Sequence, residues 1–115
     1  MRARGDAAEA HALRFLVEHG LVPITANFSC RLGEIDLIMR DGDTLVFVEV
    51  RQRTKTRFGS PLDSISMAKC QKLRRTAQVY LQKSCPHGEP PCRFDVVAIT
   101  GSADSGSIQW IKGAL

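Results

Sequence analysis

The sequence has no long hydrophobic run and no apolar segment behind its first residues. No stretch approaches the ~18 consecutive apolar residues of a membrane-spanning helix, so no membrane partner is expected. The opening residues, Met-Arg-Ala-Arg-Gly-Asp, lack the apolar region of a secretory signal. These two absences predict a cytoplasmic protein.

Closely spaced cysteine pairs, glycine-rich phosphate loops and hydrolase triads are also missing. The four cysteines form no CxxC pair, so reduced thiols are expected. Cys85, His87 and Cys92 carry ligand-type side chains, but their spacing matches no known zinc pattern. Ser60 and Ser66 have no acid–base partners nearby in sequence. These absences disfavour a zinc protein, a serine hydrolase and a phosphate-loop nucleotide binder.

Aromatic residues make up only 6% of the chain. Trp110 and Phe94 lie in predicted strands with few aromatic neighbours, so both are expected in the core rather than as base-stacking platforms. The remaining composition, 43% hydrophobic and 24% charged over 115 residues, is that of one globular domain spanning residues 1–115.

Positive charge is concentrated in one segment. The chain has a net charge of +4, but residues 51–83 hold nine Lys/Arg and one acid, a net +8, and the rest carries −4. A basic block beside an acidic cluster suggests a polyanionic partner guided toward a cation-dependent site. The alternative is an ordinary solvated basic helix face.

Hydrophobic periodicity and turn signals predict an α/β fold with the order α-β-β-β-α-β-β and a central mixed sheet flanked by helices. The second helix is expected to connect two parallel neighbouring strands. The predicted helices cover 6–19 and 66–82, and the strands cover 22–28, 33–39, 44–51, 93–100 and 107–112.

Both helices have a candidate buried side. The first is expected to begin with a capping box of Asp6 and Glu9. Its expected buried stripe is Ala12, Leu13, Leu16 and Val17. For the second helix the expected buried residues are Cys70, Leu73, Ala77, Tyr80 and Leu81.

The stretch 33-GEIDLIMRDGDTLVFVEVR-51 reads as a hairpin with charges at one end. If Asp41-Gly42 is the two-residue turn, Arg40 faces Asp43, Asp36 faces Phe47 and Glu34 faces Glu49. Alternation then gives an apolar face of Ile35, Leu37, Met39, Val46, Val48 and Val50. The opposite face carries Glu34, Asp36, Glu49 and Arg51.

Carboxylates crowded together on a sheet are unfavourable unless a cation joins them. Two such groups, with waters and a substrate phosphate, suit Mg²⁺ or Mn²⁺. Arg51 points into the same space, where it can hold a phosphate oxygen. Two alternatives remain open: Arg51, Arg53 and Lys69 neutralise the acids in a surface salt-bridge network, or a β-bulge separates the groups.

The motifs GEIDLI, LVFVEVR, FGSP, the K-x-x-K-L helix and RFDVV together resemble the YraN-type family of small bacterial proteins, over nearly the whole chain. That family is similar, more distantly, to archaeal Holliday-junction resolvases and PD-(D/E)xK nucleases. The resemblance implies a single-domain restriction-endonuclease-like fold. It also implies metal ligands at Asp36, Glu49 and the Val50 carbonyl, and a catalytic Glu9. Glu34 belongs to the YraN-type motif and is kept as a candidate accessory residue without an assigned role, and Lys69 is a candidate to take over the lysine role at Arg51.

Arg51 departs from the wider nuclease motif, which has lysine there. A buried lysine can lose its proton, whereas an arginine effectively cannot. If the reaction needs a base at this position, the chain is impaired; if the residue only orients water or neutralises charge, arginine serves.

Three functional hypotheses follow. The first is a Mg²⁺- or Mn²⁺-dependent endonuclease acting on DNA, with branched or flap structures as candidate substrates; a resolvase activity would imply a homodimer, because symmetric cutting needs two sites. The second is a non-catalytic nucleic-acid-binding module of the same fold. The third is a protein-interaction domain with a basic helix. In the first two, the expected backbone contacts are Arg53, Lys55, Arg57, Lys69, Lys72 and Arg75.

Overall fold

The computed structural model describes residues 3–53 and 65–115. Across these ranges the element order is the predicted α-β-β-β-α-β-β, which confirms the α/β fold class and is consistent with a restriction-endonuclease-like architecture. Lys55 and Arg57 lie outside the described residues. The elements are α1 (Ala3–Glu18), β1 (Val22–Cys30), β2 (Gly33–Asp41), β3 (Thr44–Arg53), α2 (Met67–Ser84), β4 (Cys92–Thr100) and β5 (Ser107–Ile111).

The described strands form one mixed sheet with the order β1-β2-β3-β4-β5. β3 and β4 are parallel, as predicted, while the other neighbours are antiparallel. Parallel strands need a long crossover connection, and α2 lies in it. β1 lies at an edge of the sheet, a position that suits a strand containing Pro23.

Helices on both faces of the sheet bury two hydrophobic clusters. The α1 cluster consists of Ala8, Ala12, Leu16, Leu21, Leu37, Met39, Val46, Val48, Val97 and Ile99. The α2 cluster consists of Ile35, Ile38, Leu45, Phe47, Leu73, Ala77, Tyr80 and Leu81. Because successive side chains of β3 alternate between these clusters, the parity of a β3 residue tells which helix covers it.

The structure corrects the predicted start and buried side of α1. The helix begins at Ala3, so Asp6 lies inside it and the predicted capping box is wrong. Val17 is 46% exposed, and Ala8 joins Ala12 and Leu16 in the buried stripe instead. Ala12 and Leu16 are fully buried as predicted, and Leu13 packs partly buried against the same cluster.

The hairpin turn is displaced from the predicted position. Asp41 pairs with Thr44, so the turn residues are Gly42 and Asp43. Gly42 has φ 61° at the first central position, where a type II′ turn requires glycine. The predicted pairing of Arg40 with Asp43 is therefore wrong, and Arg40 pairs with Leu45.

This change of turn moves each β2 residue opposite a β3 residue two positions later than predicted. A displacement by two residues preserves the faces, whereas a displacement by one would exchange them. Ile38 takes the place opposite Phe47 that was predicted for Asp36. Ile35 is an exception to the predicted faces, because it packs in the α2 cluster. The β2–β3 pairing that fixes alternation ends at Leu37, before Ile35 is reached.

Candidate metal centre

The candidate site lies where β2 and β3 stop pairing. Their ladder ends at Leu37 and Val48, and beyond it the Val50 N–H donates to Asp36 Oδ2 at 2.8 Å. The Asp36 side chain thus takes the place that a β2 carbonyl holds in a continuing ladder. The backbone bond keeps the Asp36 carboxylate beside the segment that carries Glu49 and Arg51.

Asp36 and Glu49 form a buried carboxyl pair on the α2 side of the sheet. Asp36 is 8% exposed and Glu49 is 5% exposed. Burial, followed by the charge of Asp36 and a hydrogen bond to its side chain, raises the pKa of Glu49 to about 7. An ionised Glu49 carboxylate is therefore costly at this buried position without a nearby positive charge, and a bound cation would supply one.

Two cations approach Glu49 from the surface. Lys69 Nζ lies 3.7 Å and Arg51 NH1 3.5 Å from Glu49 Oε2. Both lower the pKa of Glu49, but burial and Asp36 outweigh them, since the net shift is upward. Their side chains are 37% and 36% exposed, against 6% for Glu49. Of the predicted salt-bridge network, the contacts of Arg51 and Lys69 with Glu49 are therefore present.

The donor set limits what kind of metal this site can hold. Among residues 7–53 and 65–115, no three His, Cys, Asp or Glu side chains converge as a metal-ligand group. Asp36 and Glu49 supply two oxygen ligands, which suits Mg²⁺, an ion commonly held by one or two carboxylates together with water and substrate phosphate. The pair fits such an open site and does not fit a closed protein cage.

The remaining acidic candidates, Glu34 and Glu9, occupy different environments. The predicted pairing of Glu34 with Glu49 is wrong, because the β2–β3 ladder ends at Leu37 and Val48, and Glu34 pairs with Ser29 on the β1 side. Glu34 is partly buried and has a partner of its own. Glu9 is only 7% exposed, and the capping role that competed with a functional one no longer applies. Its role as a catalytic group stays a prediction.

The basic candidates lie around α2 and the end of β3. Lys69, Lys72 and Arg75 are all on α2, and the last two are exposed. Arg53 is partly buried at the end of β3. The structure therefore groups the helix residues on the side of the sheet that carries Glu49, joined to it by the Lys69 ion pair.

The motif analysis missed the role of Asp95, a fully buried charge in β4. Its carboxylate accepts hydrogen bonds from Arg93 Nε, from Trp110 Nε1 at 3.0 Å and from the Gly113 N–H at 3.0 Å. Arg93 also forms an ion pair with Asp41 at 2.9 Å. The one available signal was an aspartate inside the apolar run RFDVV. These contacts tie β4 to β5 and assign Asp95 a structural role.

No helix in the described part of the chain is both long enough and apolar enough to cross a membrane.

The family-level comparison agrees with the motifs. The model of the uncharacterised protein family UPF0102 matches residues 8–99.

Individual relatives match over almost their full length. A UPF0102 protein of Methylobacillus flagellatus is 49% identical over 114 residues, covering 99% of this chain and 97% of the relative. A UPF0102 protein of Stutzerimonas stutzeri is 48% identical over 113 residues, covering 98% and 94%. A UPF0102 protein of Nitrosococcus oceani is 48% identical over 113 residues, covering 98% and 91%. With matches of this identity and coverage, the chain belongs to the UPF0102 family.

Proposed function

We propose that this protein is a divalent-cation-dependent endonuclease that hydrolyses phosphodiester bonds in DNA. The observation that carries the proposal is the buried carboxyl pair of Asp36 and Glu49, in which burial and mutual repulsion raise the pKa of Glu49 to about 7. Buried carboxyl pairs with shifted pKa values are typical of catalytic and ion-binding sites. Folding alone gives no gain from this arrangement.

Each residue of the proposed site has a separate role that follows from its position. Asp36 and Glu49 would hold Mg²⁺ or Mn²⁺, with the Val50 carbonyl as a third protein ligand. When bound, the ion supplies a water nucleophile of lowered pKa and charge stabilisation at the phosphate. The Val50 N–H holds Asp36 in place at 2.8 Å. Arg51, at the surface of the pair, would contact the scissile phosphate.

α2 supports the approach of a phosphate backbone. Ser66 caps the helix by accepting a hydrogen bond from the Lys69 N–H at 3.1 Å. Because the Lys69 side chain contacts Glu49, the first turn of α2 lies next to that carboxyl group. The N-terminal end of a helix favours anions, and the Lys69 side chain adds a full charge there. Lys72 and Arg75 extend the positive surface along the helix and would grip the backbone without reading sequence.

A non-catalytic nucleic-acid-binding module is the second candidate. The observation that favours it is that Arg51 and Lys69 already pair with Glu49, while arginine cannot act as a base. Such a module would bind DNA or RNA in a salt-sensitive way, and its binding would survive chelation and the Glu49→Gln change.

Nicking assays on junction, flap and linear DNA with Mg²⁺ or Mn²⁺ test the proposal. Asp36→Asn and Glu49→Gln should each lower the cleavage rate by at least about 100-fold, because each removes an ion ligand. Glu18→Gln is the matched control, since this exposed carboxylate lies at the end of α1. It should cleave like the wild type.

Equal cleavage by the wild type and both site variants would eliminate the proposed centre. Nucleic-acid binding without cleavage would favour the binding module. An absence of binding even at low salt would leave the protein-interaction hypothesis.

A further inference from the structure

A second feature lies between α2 and the sheet, on the same side as the carboxyl pair. It is a cavity of ≈ 290 Å³, close to the lower end of the sizes that hold small ligands. Apart from Arg75, none of its lining residues has a role in the proposed hydrolysis. Its lining residues are Phe47, Arg74, Arg75, Ala77, Gln78, Leu81, Glu89, Cys92 and Phe94.

The wall of this cavity is aromatic. Phe47 is 2% exposed and stacks on Phe94, with ring centroids 5.1 Å apart and planes at 27°. Phe94 packs against the α2 cluster, in line with the predicted core position, but it is only partly buried. A ring that stacks on a buried neighbour and still lines an open cavity offers a flat apolar surface to a planar ligand.

The rim of the cavity is polar, with more positive than negative charge. Arg74 and Arg75 are exposed residues of α2, and Gln78 lies one turn further on. Glu89 is exposed on the connection between α2 and β4 and can accept a hydrogen bond from an amino group. A planar apolar interior with guanidinium groups beside it matches a nucleobase attached to a phosphate backbone.

The position of the cavity relative to the carboxyl pair supports the same occupant. Phe47 and Glu49 lie on the same face of β3, about 7 Å apart along the strand. On α2, eight residues separate Lys69, which contacts Glu49, from Ala77, which lines the cavity, or about 12 Å along the helix. A single strand held at Glu49 would therefore pass the cavity within a few nucleotides.

We infer that this cavity binds an unpaired nucleobase of the strand held at the carboxyl pair, so that the protein selects single-stranded or branched DNA over continuous duplex. The inference rests on the proposed function and names its substrate class. A base inside a duplex is already stacked on both sides and cannot enter, whereas an unpaired base loses little by leaving its strand.

Fluorescence of a single 2-aminopurine in a short oligonucleotide tests the inference without cleavage. In EDTA, the full-length protein should quench the probe in single-stranded DNA and bind that strand at least about fivefold more tightly than the matching duplex. Phe94→Leu should lose the quenching and the preference, because leucine fills space without stacking. Phe94→Tyr should retain both.

A charge-matched pair separates the cavity from general electrostatics. Arg74→Gln removes a charge that lines the cavity, while Lys83→Gln removes an equal charge from the same helix at a different cavity. The Arg74 change should weaken single-strand binding more than the Lys83 change. If Phe94→Leu binds and quenches like the wild type, or the two charge variants behave alike, the inference fails while the endonuclease proposal stands. If the wild type binds neither DNA form, both fail together.

Discussion

At the residue scale, Glu49 connects electrostatics with folding. Its pKa of about 7 in the folded protein lies above the ordinary value of 4.5, chiefly because burial disfavours the charge. Between these two values the folded state keeps a proton that the unfolded chain has released. The free energy of unfolding contributed by Glu49 therefore falls as pH rises from about 4.5 to about 7, and stays low above it.

Substituting Glu49 should flatten this pH dependence. Glu49→Gln keeps the size and removes the charge, so the variant should gain stability relative to the wild type at pH 8 and much less at pH 5. Urea unfolding in EDTA at the two pH values measures the difference. Glu18→Gln, an exposed change, should track the wild type at both. A stability gain for Glu49→Gln that is equal at both pH values would show that Glu49 is not protonated in the folded state.

Arg51 tests what the reaction needs at the lysine position of the nuclease motif. If the residue contacts phosphate through its charge, Arg51→Lys should keep cleavage within about tenfold, while Arg51→Gln should lose about 100-fold or more. Cleavage rates under single-turnover conditions compare the three proteins. Equal cleavage rates for the wild type and Arg51→Gln would show that Arg51 takes no part in the reaction.

At the level of single residues, only part of the candidate site could be predicted from the sequence. Alternation along two neighbouring strands predicted that Asp36 and Glu49 lie on one face, although the strand partners predicted for them were wrong. The burial of Glu9 did not, because Asp6 and Glu9 form a plausible capping box whose use depends on where α1 actually begins. Helix starts are set by tertiary contacts as well as by local caps, and only the structure shows which governs.

At the element scale, β4 and β5 are joined through a buried charge. Asp95 is 0% exposed and accepts hydrogen bonds from β5 and from the residues after it. Asp95→Ala should lower the free energy of unfolding by about 3–5 kcal/mol, because it leaves Arg93 partly buried without its main partner. Urea denaturation at pH 7 measures the loss.

Asp104→Ala is the matched control for this prediction. Asp104 is an exposed aspartate in the turn between β4 and β5, hydrogen-bonded to Ser102. Its replacement should cost less than about 1 kcal/mol, as exposed pairs typically do. A similarly small loss for Asp95→Ala would mean that its network does not hold the two strands together.

The hairpin shows which part of an element can be read from sequence. An Asp-Gly-Asp turn allows two neighbouring two-residue loops, and local preference alone does not separate them. The observed choice puts Gly42 at the position that needs φ of 61°. The faces were predicted correctly up to Leu37 because the two pairings differ by an even number of residues. The strand partners were predicted wrongly, because they depend on which two residues form the loop.

At the scale of the whole molecule, the uneven charge predicts a salt dependence for the proposed nucleic-acid binding. Each phosphate contact adds about one to the slope of log affinity against log salt. Lys72→Gln on α2 should therefore reduce the slope by about 1, whereas Arg14→Gln, exposed on α1, should leave it unchanged. Binding titrations over several salt concentrations give both slopes. Equal slopes for Lys72→Gln and the wild type would show that the nucleic-acid backbone does not contact Lys72 on α2.

In the proposed function, Asp36 and Glu49 together hold a divalent cation. Anomalous scattering from a crystal soaked with Mn²⁺ measures whether an ion binds there. We expect one strong peak within about 2.0–2.3 Å of an oxygen of each carboxylate. An occupied crystal with manganese bound elsewhere, or a saturating soak that leaves this pair without a peak, would contradict it.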